Sequence, residues 1–314
     1  MEFLKWLQEI RNPVLDAIFS FVKMFGEETA FILIGLLFYW CISKKQGYYL
    51  LSIGLLGTVL NQFLKLIFCI PRPWVLDEEF EIVESAREQA TGYSFPSGHT
   101  QSSVGIFGGI ALWNKNMALK IISVIICVMV PLSRMYLGVH TPLDVGVSIL
   151  LALVLVFGLY PMLGKSVNQN KTMRVLFVIM TVFSAAFLAF VHLNKFPADV
   201  DADNLAHGTE TAYKMLGVII GLWISFEIDI KYINFKTEGI WWVQVFKLVV
   251  GLLPILAIKS GLKAPLYSII GNDLLADGIR YFLIAVFAGC IWPITFKLWN
   301  KNFKKQTREK NGTK

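Results

Sequence analysis

Charged residues are scarce in this chain of 314 residues: only 16% are Asp, Glu, Lys or Arg, whereas 55% are hydrophobic. Soluble domains average roughly a quarter charged residues, so the composition excludes a soluble domain and also a disordered chain. There are only four cysteines, far apart, and their spacing fits neither a metal site nor a disulfide framework. What fills the chain instead is a series of long apolar runs, which predicts an all-α, polytopic integral membrane helical bundle.

Nine apolar runs are long enough, or nearly so, to cross a bilayer, for which about 20 residues are needed. The predicted spans are 28–43, 47–70, 99–113, 118–137, 139–162, 174–192, 212–228, 243–258 and 280–297. Ahead of them, Pro13 to Gly26 predicts a short helix with one apolar face. It is too short to span, so we expect it to lie at the membrane interface.

The formal net charge of +7 is distributed along the chain in a pattern typical of membrane topology rather than of nucleic-acid binding. The connections before residue 229 alternate between basic and acidic, the acidic ones being 74–98 and 193–213, whereas 229–242 and 259–279 are mixed and do not indicate a side. The basic groups are Lys44 with Lys45, Lys115 with Lys120, Lys165 with Lys171 and Arg174, and the tail from Asn300. The positive-inside rule predicts that the basic connections and the C-terminus are cytoplasmic and that the acidic loops lie outside. We expect the membrane to be a bacterial plasma membrane.

Three groups of polar residues lie at the predicted outer ends of the spans. They are Lys65 with Arg72, Ser97 and Gly98 with His99, and Arg134 with His140 and Asp144. Three converging cations repel one another unless an anion binds between them, and arginine forks suit phosphate oxygens. Gly98 permits close backbone approach at a helix N-terminus, which supplies further donors to an anion.

His140 and Asp144 are four residues apart and share one face of a helix. The carboxylate can hold one imidazole nitrogen and leave the other free as a nucleophile. His99, from another helix, is placed to protonate a leaving group. Together these residues predict phosphoryl transfer through a phosphohistidine, with fixed cations rather than a metal or another cofactor stabilising the charge.

The spacing of these residues resembles that of the type 2 phosphatidic acid phosphatase (PAP2) family of lipid phosphate phosphatases. The three blocks read K-x6-R-P from Lys65, P-S-G-H to His99, and S-R-x5-H-x3-D to Asp144. The resemblance implies a helical bundle with its active site at the outer membrane surface, reached laterally by lipids. It assigns phosphate binding to Lys65, Arg72, Ser97, Gly98 and Arg134, and it makes His140 the nucleophile, Asp144 its orienting carboxylate and His99 the acid.

The resemblance covers about half of the chain. We therefore predict an N-terminal interfacial helix at 1–26, a catalytic core at 27–162, additional spans at 163–299 and a basic cytoplasmic tail at 300–314. A core followed by added C-terminal spans is similar in architecture to the sphingosine-1-phosphate phosphatases.

The substrate stays open at this point. Phosphatidate, phosphatidylglycerol phosphate, undecaprenyl pyrophosphate and sphingoid-base phosphates all present a phosphate to the same residues. A lipid phosphotransferase and a non-hydrolytic lipid-phosphate binding or transport protein are the alternative functions. No nucleic acid or obligate protein partner is expected. Acidic residues at 199–210 follow a calcium-loop spacing, with Asn204 where glycine is preferred, and they predict either a calcium site or a merely acidic loop.

Overall fold

The computed structural model describes residues 1–87, 90–198 and 200–298, and within these ranges the regular secondary structure is entirely helical. The α-helices are α1 Glu2–Glu9, α2 Pro13–Val22, α3 Glu28–Leu37, α4 Lys44–Phe68, α5 Pro73–Leu76, α6 Gly98–Trp113, α7 Met117–Tyr136, α8 Pro142–Gly164, α9 Gln169–Leu193, α10 Ala202–Ile228, α11 Trp241–Gly261, α12 Lys263–Ile270, α13 Asp273–Val286 and α14 Trp292–Ile294. The prediction of an all-α membrane bundle is therefore confirmed. The predicted basic tail lies outside the described residues.

Each of the nine predicted spans falls on a helix, but within the described residues six helical segments are both long and apolar enough to cross a membrane. These are Lys44–Leu76, Met117–Tyr136, Pro142–Gly164, Gln169–Leu193, Trp241–Gly261 and Asp273–Leu298. Three of the nine predicted spans are not among them. Glu28–Ile42 and α6, which has 16 residues, are shorter, although α6 still runs from the end of the bundle where α4 stops to the end where α7 begins. Helix α10 has 27 residues but carries Glu210 and Lys214 in its first half.

The calcium-loop hypothesis for 199–210 is wrong for a structural reason. Asp201 caps α10, its carboxylate accepting a hydrogen bond from the N–H of Asn204 at 2.8 Å, and the chain is helical from Ala202 onward. A calcium loop of this type needs its ligands on an irregular twelve-residue turn. Asp199 lies outside the described residues, and the rest of the segment begins a helix.

Capping residues determine where the helices around the polar groups begin. The Oγ of Ser97 accepts from the N–H of Thr100 at the start of α6. Thr141 and Asp144 form a reciprocal capping box at the start of α8, where Pro142 occupies the first helical position. Several of the residues that carry the predicted chemistry therefore also define helix ends, and their side chains are fixed by the backbone next to them.

Glycine pairs let the helices approach closely, as small-xxx-small spacing predicts. A Cβ added at Gly217 on α10 would lie 2.1 Å from the carbonyl oxygen of Gly278 on α13. One added at Gly221 would lie 2.7 Å from the carbonyl oxygen of Phe282. The backbones of α10 and α13 are thus in direct contact, which ties the last span to α10.

Gly217→Ala should lower the free energy of unfolding by about 1–3 kcal/mol, because the new methyl group collides with main-chain atoms that cannot move aside. The matched control is Gly158→Ala on α8, where an added Cβ has no neighbour within 4 Å among the described atoms. That control should be neutral or stabilising, by at most about 1 kcal/mol, since alanine favours the helix. Thermal unfolding in detergent measures both, and equal midpoints for the two variants would contradict the packing.

Candidate active site

The three predicted polar groups come together at one end of the bundle. Helices α4 and α7 end there, and α6 and α8 begin there. Helix α4 stops because Cys69 adopts a left-handed conformation (φ 48°) and Pro71 and Pro73 follow it. The side chains are withdrawn from solvent: Lys65, Arg72, Ser97, Arg134, His140 and Asp144 are all less than 8% exposed. Gly98 and His99 are half-buried.

Arg72 is held by main-chain carbonyls and points at the predicted nucleophile. Its Nε donates to the carbonyl oxygen of Gly92 at 3.0 Å, and its Nη2 donates to that of Thr91 at 2.7 Å. Its Nη1 lies 2.9 Å from the carbonyl oxygen of Val139 and 3.0 Å from Nε2 of His140. Because a guanidinium can only donate, the lone pair of His140 is on Nε2 and its proton is on Nδ1.

Lys65 is anchored by the same loop, since its Nζ donates to the carbonyl oxygen of Tyr93. We call residues 91–93 the clamp loop, because their three carbonyls hold both Lys65 and Arg72. The far side of the clamp loop rests on α10. The hydroxyl of Tyr93 accepts from the N–H of Asp201 at 3.0 Å, and His207 packs against Gly92. Helix α10, which belongs to the segment after the predicted core, therefore supports the site from behind.

Asp144 faces His140 from the first turn of α8. Its Oδ2 accepts from the N–H of Thr141 at 2.7 Å and from the hydroxyl of Ser94 at 2.6 Å. Nδ1 of His140 lies 3.5 Å from the same oxygen, which is ion-pair range but too long for a hydrogen bond. The carboxylate is thus fixed by two donors and directed at the protonated nitrogen of the imidazole.

Arg134 and His99 bring polar atoms that no neighbour satisfies. All three guanidinium nitrogens of Arg134 are buried, and none has a hydrogen-bond partner among the described residues. The same holds for Nε2 of His99. Buried charges are normally paired, so the unpaired guanidinium of Arg134 is unusual, and an anion bound beside it would supply the missing partner.

His140 lies in the connection between two spans, and its environment keeps it neutral. Burial, reinforced by the positive charges of Arg72 and Lys65, lowers the pKa of His140 well below its ordinary value. A neutral imidazole with a lone pair on Nε2 is a nucleophile at neutral pH.

Three contributors were missed at the level of sequence. Ser94, which holds Asp144, stands two residues before the P-S-G-H block and gave no spacing signal. The clamp loop acts through carbonyls, which are independent of side-chain identity. Asn61, a buried amide one turn before Lys65, did give a signal, because a polar residue within an apolar run is a candidate for function.

The chain matches two family models and several characterised proteins. Residues 45–168, which include the whole cluster, match the PAP2 superfamily, and residues 213–303 match the PAP2 superfamily phosphatase transmembrane extension. No solved structure gives a significant match to the chain.

Three of the similar proteins differ in the lipid phosphate that their names give. Undecaprenyl-diphosphatase BcrC of Bacillus subtilis is 31% identical over 46% of this chain and 74% of its own length. A dihydrosphingosine 1-phosphate phosphatase of Schizosaccharomyces pombe is 24% identical over 83% of this chain and 65% of its own length. A probable sphingosine-1-phosphate phosphatase of Dictyostelium discoideum is 28% identical over 47% of this chain and 38% of its own length. The chain thus spans less than two thirds of the two sphingoid-phosphate phosphatases.

Arg134→Met should raise the midpoint of thermal unfolding measured without phosphate, because removing an unpaired buried charge while keeping the volume stabilises by about 1–4 kcal/mol. Orthophosphate should raise the midpoint of the unmodified protein by mass action, and most of that rise should be lost in the variant. Arg174→Met is the matched control, since Arg174 is half-exposed and paired with Glu227. It should keep the phosphate response. An Arg134→Met protein that is less stable than the parent and still responds to phosphate would contradict an anion site.

Proposed function

Because this chain belongs to the PAP2 superfamily of lipid phosphate phosphatases, we propose that it removes phosphate from a lipid phosphate or pyrophosphate at the cluster around His140. One observation carries the proposal. Nε2 of His140 accepts from Arg72 while Nδ1 faces Asp144. The nucleophilic lone pair is therefore directed toward a group that also binds phosphate oxygens.

Substrate binding uses the cations and the N-terminus of α6. The phosphate is held between Lys65, Arg72 and Arg134, and further donors come from Ser97 and the N–H groups at Gly98. A phosphate oxygen that accepts from Nη1 of Arg72 takes over the donor that now contacts Nε2 of His140. Binding thereby frees the lone pair where phosphorus arrives.

The first chemical step transfers the phosphoryl group to the enzyme. Nε2 of His140 forms a bond to phosphorus, the bond from phosphorus to the lipid oxygen breaks, and His99 donates its proton to that oxygen. Asp144 stabilises the resulting imidazolium on the Nδ1 side. Fixed cations balance the charge on the equatorial oxygens, so the proposal includes no metal or other cofactor.

The second step releases phosphate. Water attacks phosphorus, the bond to Nε2 breaks with its electron pair returning to His140, and His99 accepts a proton from the water. The products are inorganic phosphate and the dephosphorylated lipid or, when the substrate is a pyrophosphate, inorganic phosphate and the lipid monophosphate, whose oxygen is the leaving group of the first step.

We propose that the site faces the outside of the cell. The basic residues Lys44, Lys45, Lys115, Lys120 and Lys165 stand at the helix ends opposite the cluster. This arrangement supports a cytoplasmic location for the basic end under the positive-inside rule. Lipids then reach the cluster from the outer leaflet.

Two classes of substrate, polyprenyl pyrophosphates and sphingoid-base phosphates, are each supported by a different relative. The undecaprenyl-diphosphatase match is confined to about half of the chain, whereas the match to the yeast dihydrosphingosine 1-phosphate phosphatase extends over 83% of it. The added spans therefore favour a sphingoid-base phosphate, and the core alone is compatible with a polyprenyl pyrophosphate.

A phosphate-release assay in detergent on phosphatidate, phosphatidylglycerol phosphate, undecaprenyl pyrophosphate and sphingosine 1-phosphate tests the function. Release from at least one lipid should survive EDTA, and His140→Ala should lower kcat at least about a thousandfold. His192→Ala, a histidine outside the cluster that contacts Tyr213, is the matched control and should leave turnover unchanged. Strict dependence on added Mg²⁺, or normal turnover by His140→Ala, would overturn the mechanism. A phosphorylated lipid product with little free phosphate would make the protein a phosphotransferase.

The pH profile follows from the lowered pKa of His140. Protonation removes the nucleophilic lone pair, and a depressed pKa delays protonation as the pH falls. The acid limb of kcat/KM should therefore lie below the ordinary histidine pKa of about 6.5. The alkaline limb reports loss of the proton that His99 donates, and because burial and the charge of Arg134 lower the pKa of His99 as well, this limb should also be displaced toward lower pH. An acid limb at or above the ordinary value would show that the nucleophile is not the buried His140.

A further inference from the structure

Asn61 is a buried amide beside the cluster that the mechanism above does not use. It stands one helical turn before Lys65 on α4, so the two side chains share a face. It is 2% exposed, and neither its Oδ1 nor its Nδ2 has a hydrogen-bond partner in the described part of the chain. An amide buried in this way loses its hydrogen bonds to water without replacement, which lowers the stability of the fold. Such a cost is expected mainly where the residue has a function.

The position of Asn61 relates it to the acid of the mechanism. A Cβ added at Gly98 would lie 3.7 Å from Oδ1 of Asn61, so the amide lies beside the N-terminus of α6. The next residue is His99, whose buried Nε2 is also without a partner. The amide and the imidazole are therefore two unsatisfied polar groups at the same helix end.

We propose that Asn61 positions the water that hydrolyses the phosphohistidine, an inference that rests on the proposed function. In-line displacement requires the water to attack phosphorus opposite Nε2 of His140, from the side that the lipid oxygen left. His99 occupies that side as acid in the first step and base in the second.

An amide suits this task because it both accepts and donates. Oδ1 accepts one hydrogen of the water, and Nε2 of His99 accepts the other as it is transferred. Nδ2 donates to a phosphoryl oxygen. The water oxygen forms its bond to phosphorus while the bond from phosphorus to Nε2 of His140 breaks. Lys65, Arg72 and Arg134 cannot replace the amide, since cationic side chains do not accept hydrogen bonds.

The test is Asn61→Leu, which keeps the side-chain size and removes the amide. Dephosphorylation should slow about a hundredfold, the order expected when a reacting group is misplaced. Formation of the phosphoenzyme should change little, so kcat and KM should fall together while kcat/KM is nearly retained. Acid quenching with radiolabelled substrate should trap phosphohistidine and show a burst. Asn61→Ser, whose hydroxyl also donates and accepts, should restore part of kcat.

Gln46→Leu is the matched control. Gln46 is a buried amide at the opposite end of the same helix, and its Nε2 also lacks a partner. The control should form and hydrolyse the phosphoenzyme at the parent rates. A merely structural Asn61 would instead lower kcat and kcat/KM equally, or lower neither, with no accumulated phosphohistidine, and either result overturns the inference. Failure of the proposed function is distinguishable, because the unmodified protein would then release no phosphate from any lipid.

Discussion

Lys65 and Arg72, two of the three cations in the cluster, are held in place by carbonyl oxygens of the clamp loop rather than by carboxylates. The difference matters because a carboxylate would neutralise the charge that the site needs for an anion. A carbonyl orients a cation while leaving nearly all of its charge available. The buried end of the bundle therefore stays electropositive, and the same charges add to the effect of burial in lowering the pKa of His140.

This arrangement has an energetic consequence. Burying several cations that carbonyls rather than carboxylates hold destabilises the protein without ligand, and the rest of the bundle must compensate. Close helix contacts contribute to that compensation. Gly217 and Gly221 bring α10 against the backbone of α13, and capping residues fix the helix ends at the cluster. Lys65 and Arg72 are held in fixed orientations by main-chain carbonyls, which is what the proposed electrostatic stabilisation of a transition state requires.

Much of the fold and of the candidate site could be predicted from the sequence, for identifiable reasons. Apolar runs report burial in lipid directly, so the helices were located well. The number of spans was predicted less well, because a helix such as α6 runs between the two ends of the bundle and yet has only 16 residues. Charged and histidine residues in an apolar chain are rare enough that spacing alone grouped Lys65, His99 and His140. The clamp loop could not be predicted, since main-chain carbonyls have no signature in side-chain identity.

The hydrogen bond from the N–H of Asp201 to the hydroxyl of Tyr93 connects two regions of the sequence. Tyr93 lies inside the PAP2 match, and Asp201 lies between that match and the match to the transmembrane extension. The clamp loop therefore depends on both the core and the segment that begins with α10, although the two segments appear separate in sequence. A chimera that exchanged the core of this chain for that of a shorter relative would inherit the motif residues but would keep this hydrogen bond only if the incoming core supplied a hydroxyl at the position of Tyr93. Recombination between such proteins is therefore constrained at this contact, and the two segments are expected to evolve together.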